Sequence, residues 1–266
     1  MKTVSQVFSE AKNQNRIALI AYLPAGYPNN ELSHKLIDTL IGNGVDLIEV
    51  GFPYSDPLMD GPIIQAAVQD ALSKGTRAKD VFKAIDHAQQ AGAAAVVMSY
   101  FNPIFKYGFN DFAKALASAG GAGVITPDLI PDEATEWIKQ VNMNKLDNIF
   151  LVAPSSTDER IRMVAENSTG FIYAASLMGV TGVKSAQIET VKNLVARIRK
   201  FTNKPIAVGL GVNTPDQVME IAKFADGVIV GSAFIKAVSE ASNDSDAVDV
   251  VARLASALSA ATGKIG

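Results

Sequence analysis

Two carboxylates eleven residues apart, Glu49 and Asp60, make the stretch EVGFPYSDPLMDGP (Glu49 to Pro62) the strongest active-site candidate in this sequence. Glu49 sits at the end of an apolar run, Val45-Asp46-Leu47-Ile48-Glu49-Val50, that has the make-up of a short buried strand. Burying an unpaired charge is costly, so an acid there needs a reason. Side chains alternate along a strand, which puts Leu47 and Glu49 on one face. If that face lines a barrel interior, Glu49 lies at the mouth where ligands bind. Desolvation there would raise its pKa and suit a group that both gives and takes a proton near neutral pH. The plainer reading is a buried acid bonded to backbone or to a tyrosine, and Tyr22, Tyr100 and Tyr173 all stand at strand ends. Asp56 and Asp60 share their loop with Pro53, Pro57, Gly61 and Pro62, where aspartates usually form turns. Taken singly, each reads as structural.

Three glycine-bearing loops follow late in the chain: Gly179-Val180-Thr181-Gly182, Gly209-Leu210-Gly211-Val212 and Gly231-Ser232-Ala233. Glycine lets backbone N–H groups approach an anion, and Ser232 opens a helical run, Ala233 to Ser239, whose N-terminus favours negative charge. Any one glycine is as well explained by a tight turn. Three in consecutive loops predict a phosphate cradle. Other chemistry is scarce. The chain has no cysteine, which removes disulfides and thiol nucleophiles, and its two histidines, His34 and His87, fall in helical stretches. No lysine lies in any strand-like run, which counts against a Schiff-base aldolase.

The elements that must position these groups are legible as an alternation. Eight apolar runs recur, at 17–22, 46–51, 94–100, 123–126, 148–152, 170–174, 206–209 and 227–231, with helical stretches between them. Leu32, Leu36, Ile37, Leu40 and Ile41 keep a 3.6-residue period. Thr214-Pro215-Asp216-Gln217 reads as a helix start, and Thr157-Asp158-Glu159-Arg160 as a weaker one. Val4 to Lys12 predicts a covering N-terminal helix, and Ala247 to Ala260 a final outer one. A doubly wound sheet would alternate in the same way, but the turn after the first strand, Leu23 to Pro28, lacks a G-x-G-x-x-G spacing. The expected fold is α/β: one (βα)8 barrel domain over residues 1–266, with an additional N-terminal helix and a short extra helix at the phosphate site.

The net charge of -3 and interspersed Lys and Glu give no basic stripe, so nucleic acid is not an expected partner. No apolar run reaches the roughly 18 residues of a membrane helix, and the polar N-terminus does not read as a signal peptide. The expected location is cytoplasmic.

At the level of whole motifs, the sequence resembles the family of tryptophan synthase α subunits. The likeness rests on AYLPAGYP (Ala21 to Pro28), EVGFPYSDPLMDGPIIQ (Glu49 to Gln65), SYFNPIFKYG, TPDLIPDEA, YAASLMGVTG, GLGV and VGSAFIK. That resemblance implies retro-aldol cleavage of indole-3-glycerol phosphate to indole and glyceraldehyde 3-phosphate, with no cofactor in this chain. It puts the proton donor to indole C3 at Glu49 and the carboxylate facing the ring N–H at Asp60. It places the substrate pocket at Tyr22, Tyr100, Ile125, Tyr173 and Thr181, and phosphate contacts at Gly182, Gly211, Gly231 and Ser232. It implies a partner, the pyridoxal-phosphate-dependent β subunit, in an αββα heterotetramer, with Asp56 at the partner-sensing loop. Met59 and Leu177 stand where many or some members carry alanine or a basic residue, respectively. The related synthase of indole-3-glycerol phosphate would need a strand-end lysine that this chain lacks. A stand-alone indole-releasing lyase would use the same residues, and a non-catalytic barrel would not need Glu49 and Asp60.

Overall fold

A computed structural model describes residues 2–175, 184–209 and 211–264. Parallel strands β1 (Ala18–Pro24), β2 (Leu47–Gly51), β3 (Ala94–Met98) and β4 (Gly123–Ile125) are followed by β5 (Asp147–Ile149) and β6 (Leu151–Val152), then β7 (Ile172–Ala175), β8 (Ile206–Gly209) and β9 (Gly227–Val230). Their order is β5-β4-β3-β2-β1-β9-β8-β7-β6. Its two ends are consecutive in the chain, separated only by Phe150, so the sheet closes on itself. The strand expected over 148–152 is therefore two short pieces. Phe150 turns aside at the joint, accepting a hydrogen bond from the Tyr173 amide and donating its own amide to Ser168 Oγ.

Period-two alternation separates two cores. Ile20, Leu47, Val96, Ile125, Ile149 and Ala207 are among the side chains that fill the barrel interior. Their neighbours, such as Leu19, Ile48, Val97 and Val208, face the helices. Those helices are α1 (Val4–Asn13), α2 (Asn30–Gly42), α3 (Pro62–Ser73), α4 (Ala78–Gln90), α5 (Phe101–Tyr107), α6 (Phe109–Ser118), α7 (Thr135–Met143), α8 (Asp158–Asn167), α9 (Lys184–Arg199), α10 (Pro215–Ala222), α11 (Ser232–Glu240) and α12 (Asp244–Ala260). The Thr214 signal is realised as a full capping box, and Thr157 caps α8 through the Arg160 amide. The last helix begins earlier than expected because Asn243 caps it through the Asp246 amide. Helix α1 covers the N-terminal end of the barrel, its Phe8 ring 5.5 Å from Phe171.

That end is also tied by two aspartates standing just before strands. Asp46 accepts the Leu19 amide at 2.9 Å and holds Arg16 through both carboxylate oxygens at 2.6 and 2.7 Å. Asp226 repeats the device, accepting the Ile206 amide and pairing with Arg199. Asp46→Asn weakens the fork and leaves a partly buried guanidinium short of charge. The expected loss is about 1–3 kcal/mol, read as a lower urea midpoint; an unchanged midpoint would show that the tie is dispensable.

Candidate active site

The opposite, C-terminal end of the strands opens into a cavity of about 720 Å³, within the size range of small-ligand sites. Glu49 projects into it from β2, as the alternation with Leu47 requires, and is only 1% exposed. Its Oε2 has no hydrogen-bond partner, so the reading of a structurally satisfied acid does not hold for that atom. Burial, and secondarily the charge of Asp60, push the Glu49 carboxyl up to about 8. Asp60 lines the same cavity from the loop before α3. Burial raises it to about 6, against a hydrogen bond from Tyr100 that favours the ionised form. At neutral pH the pair therefore holds one proton donor and one anion, the division that separates acid and base roles in a shared site.

Tyr22 on β1 and Tyr173 on β7 both line the cavity, and burial keeps both phenols protonated. Each ring needs a missing side chain beside it. A Cβ on Gly51 would stand 2.4 Å from the Tyr22 hydroxyl, and one on Gly209 would stand 2.5 Å from that of Tyr173. Gly231 likewise borders the Tyr22 ring, so two of the glycines read as anion-binding also make room for aromatic walls. Gly211 differs: its φ of +64° requires glycine while the space around it is open. Gly211, Gly231 and Ser232 all line the cavity. Gly231 caps α11 without a side-chain hydrogen bond, and no acidic residue occupies that helix's first turn, leaving its positive end open to an anion.

Other expected residues fall elsewhere. Ile125 is fully buried in the barrel interior and does not reach the cavity. Tyr100 does not line it either; its hydroxyl accepts the Met59 amide at 2.8 Å and bonds Asp60. Asp56 is exposed on the loop and accepts from Ser55 Oγ. Thr181, Gly182 and Leu177 lie outside the described residues. Met98, Leu151 and Ile229 line the cavity without having been singled out, although strand alternation points to all three. Pro127, Ala153 and Gln187 also line it and carry no such signal. The histidines are remote: His34 and His87 stack at 4.5 Å between α2 and α4, with His87 Nε2 2.8 Å from Asp38. Among the described residues no group of three or more His, Asp or Glu side chains could hold a metal ion.

Comparison with known proteins places this geometry. A sequence model of the family described as "Tryptophan synthase alpha chain" matches residues 8–262. Proteins of that name from Thermobifida fusca and Nocardia farcinica are 49% identical over 98% of this chain and 97% of theirs, and 52% identical over 89% of each. A solved Mycobacterium tuberculosis tryptophan synthase structure superposes with a TM-score of 0.91 at 46% identity, covering 99% of this chain and 98% of that one. A tryptophan synthase subunit alpha from Legionella pneumophila superposes at 0.90 and 30% identity, over 98% of both chains. This chain belongs to the tryptophan synthase alpha chain family.

Proposed function

We propose that the chain, as one domain of 266 residues, cleaves indole-3-glycerol phosphate to indole and glyceraldehyde 3-phosphate, with Glu49 as acid and Asp60 as the ring-facing anion. The observation that carries this reading is the Glu49 carboxyl, buried with its Oε2 unpartnered near Asp60 in the cavity of a chain of this family. The uncapped start of α11, with Gly211, Gly231 and Ser232 lining the cavity, suits the substrate phosphate. The apolar walls, Tyr22, Tyr173, Met98, Leu151 and Ile229, suit the indole ring. Protonated Glu49 donates to indole C3, and the ring becomes an indoleninium cation that the Asp60 carboxylate stabilises from the N–H side. The bond from C3 to the glycerol carbon then breaks as its hydroxyl loses a proton, which the Glu49 carboxylate, emptied in the first step, can accept. Proton count and charge close over the cycle.

The same reading gives the chain a pyridoxal-phosphate-dependent β subunit as partner, an αββα assembly and a cytoplasmic location. It is supported by relatives described as tryptophan synthase and by large apolar side chains left in solvent, Leu58 at 84% and Phe105 at 64% exposed. No helix among the described residues is long and apolar enough to cross a membrane.

Glu49→Gln keeps the shape and removes the proton. Indole release should fall at least ~10³-fold while substrate binding, measured by calorimetry, stays within a few fold; unchanged indole production would refute the assignment. For the wild type, kcat/KM should rise as Asp60 ionises through pH about 6 and decline as Glu49 ionises through about 8. A profile flat from pH 5 to 9 would contradict both roles. Stability carries a third signature. Glu49 is protonated when folded and ionised when unfolded between pH 4.5 and about 8, so folding takes up a proton and stability declines as pH rises through that window. Glu49→Gln lacks this loss, and its stability relative to the wild type should grow by a few kcal/mol from pH 4 to pH 9 in urea titrations. A pH-independent difference would place the carboxyl in water.

A further inference from the structure

The loop that carries Asp60 buries little of itself, with Leu58 84% and Met59 43% exposed, so hydrogen bonds must hold it. Several ties connect it to the barrel. Phe52 donates its amide to the Met98 carbonyl at 2.8 Å, Asn102 Nδ2 donates to the Tyr54 hydroxyl at 2.8 Å, Met59 donates its amide to the Tyr100 hydroxyl at 2.8 Å, and Gln65 Nε2 donates to the Asp60 carbonyl at 2.8 Å. Three of them end between Met98 and Asn102, across the junction of β3 and α5, where the Tyr54 and Tyr100 rings also meet at 5.7 Å. That segment is firm: Tyr100 is 4% exposed, Ser99 Oγ donates to its carbonyl, and the next amide, Phe101, is held by Asp128.

A phenol has one proton to donate and two lone pairs. Met59 occupies a lone pair, and the O–H is then free to turn to the carboxyl next in sequence. Resting on the reading of Asp60 given above, we infer that Tyr100 is a positioning residue for the reaction: its hydroxyl holds the Met59 amide, the last link before Asp60, and so sets the Asp60 carboxylate in the cavity that Glu49 also lines. Tyr100 itself stays out of the cavity wall and acts through Asp60. The loop's mobility and the anion's placement are thus set from the neighbouring strand.

The test is the pH profile of indole release by the full chain, in wild type, Tyr100→Phe and Tyr54→Phe. The groups whose charge is felt here are Asp60, Glu49 on β2, Tyr22 on β1, Tyr173 on β7 and Asp128 across Tyr100. Only Tyr100→Phe removes a donor to the ionised form of Asp60, so its acidic limb should move up by about half a unit or more. Its kcat should drop roughly tenfold with KM changing less than about threefold. Tyr54→Phe, which loses only the Asn102 tie, should leave the limb in place. An unmoved limb in Tyr100→Phe, or a raised KM with kcat intact, would overturn the inference and make Tyr100 a wall residue or a structural one. Should that variant not fold, amide exchange in the wild type decides: Met59 must exchange more slowly than Leu58, and equal rates overturn the grip. Full indole release by Asp60→Asn would sink the role of Asp60 instead, a separate result that leaves the Met59 exchange readable.

Discussion

A carboxyl group held away from water with one oxygen unbonded is the constraint on which the rest of this molecule turns. Glu49 is neutral at physiological pH because the barrel mouth solvates its anion poorly, and that same poverty makes it a usable acid. Keeping it so requires largely apolar walls, and those walls in turn require glycine at Gly51 and Gly209, since a methyl group would collide with the phenols that flank the cavity. The strand alternation that turns Leu47 into the core delivers Glu49 to its mouth, so the packing and the chemistry are one pattern read at two heights.

The two ends of the barrel treat the same residue class oppositely. Asp46 and Asp226, at the strand starts, are satisfied by backbone amides and paired with Arg16 and Arg199. There charge is used to pin strand to strand. At the strand ends no arginine or lysine among the described residues lines the cavity, and the acids are left to one another and to tyrosine hydroxyls. A cation placed near Glu49 would favour its ionised form and remove the proton that the proposed reaction needs.

Much of this was legible in the residues. The alternation along β2 placed Glu49 inward, and eight apolar runs at regular spacing implied the closed sheet, because both signals are local in sequence. Most of what escaped was long-range. The break at Phe150 depends on Ser168, and the early start of α12 hid in Ser242-Asn243-Asp244-Ser245-Asp246, a polar stretch that reads as loop until Asn243 is seen as a cap. Ile125 was expected at the pocket wall yet is packed within the barrel interior, as the last residue of a three-residue strand. Gly209 and Gly231 read as turn formers or as part of an anion cradle; their service to the tyrosines involves neighbouring strands and cannot be read from either loop.

Tyr100 makes the same point at the site itself. As a strand-end aromatic it invites assignment to the substrate wall, and only the 41-residue reach to Met59 reveals where its hydroxyl is spent. The loop before α3 has few apolar anchors of its own, and a loop so exposed would ordinarily sample many conformations. Fixing it through one phenol couples two properties that could have been separate, the order of the loop and the charge state of Asp60, because the bond to the carboxylate is strongest when that group is ionised. Ionisation of Asp60 therefore tightens the hold on its own loop, and the anion is most firmly aimed in the state that can stabilise a cation across the cavity.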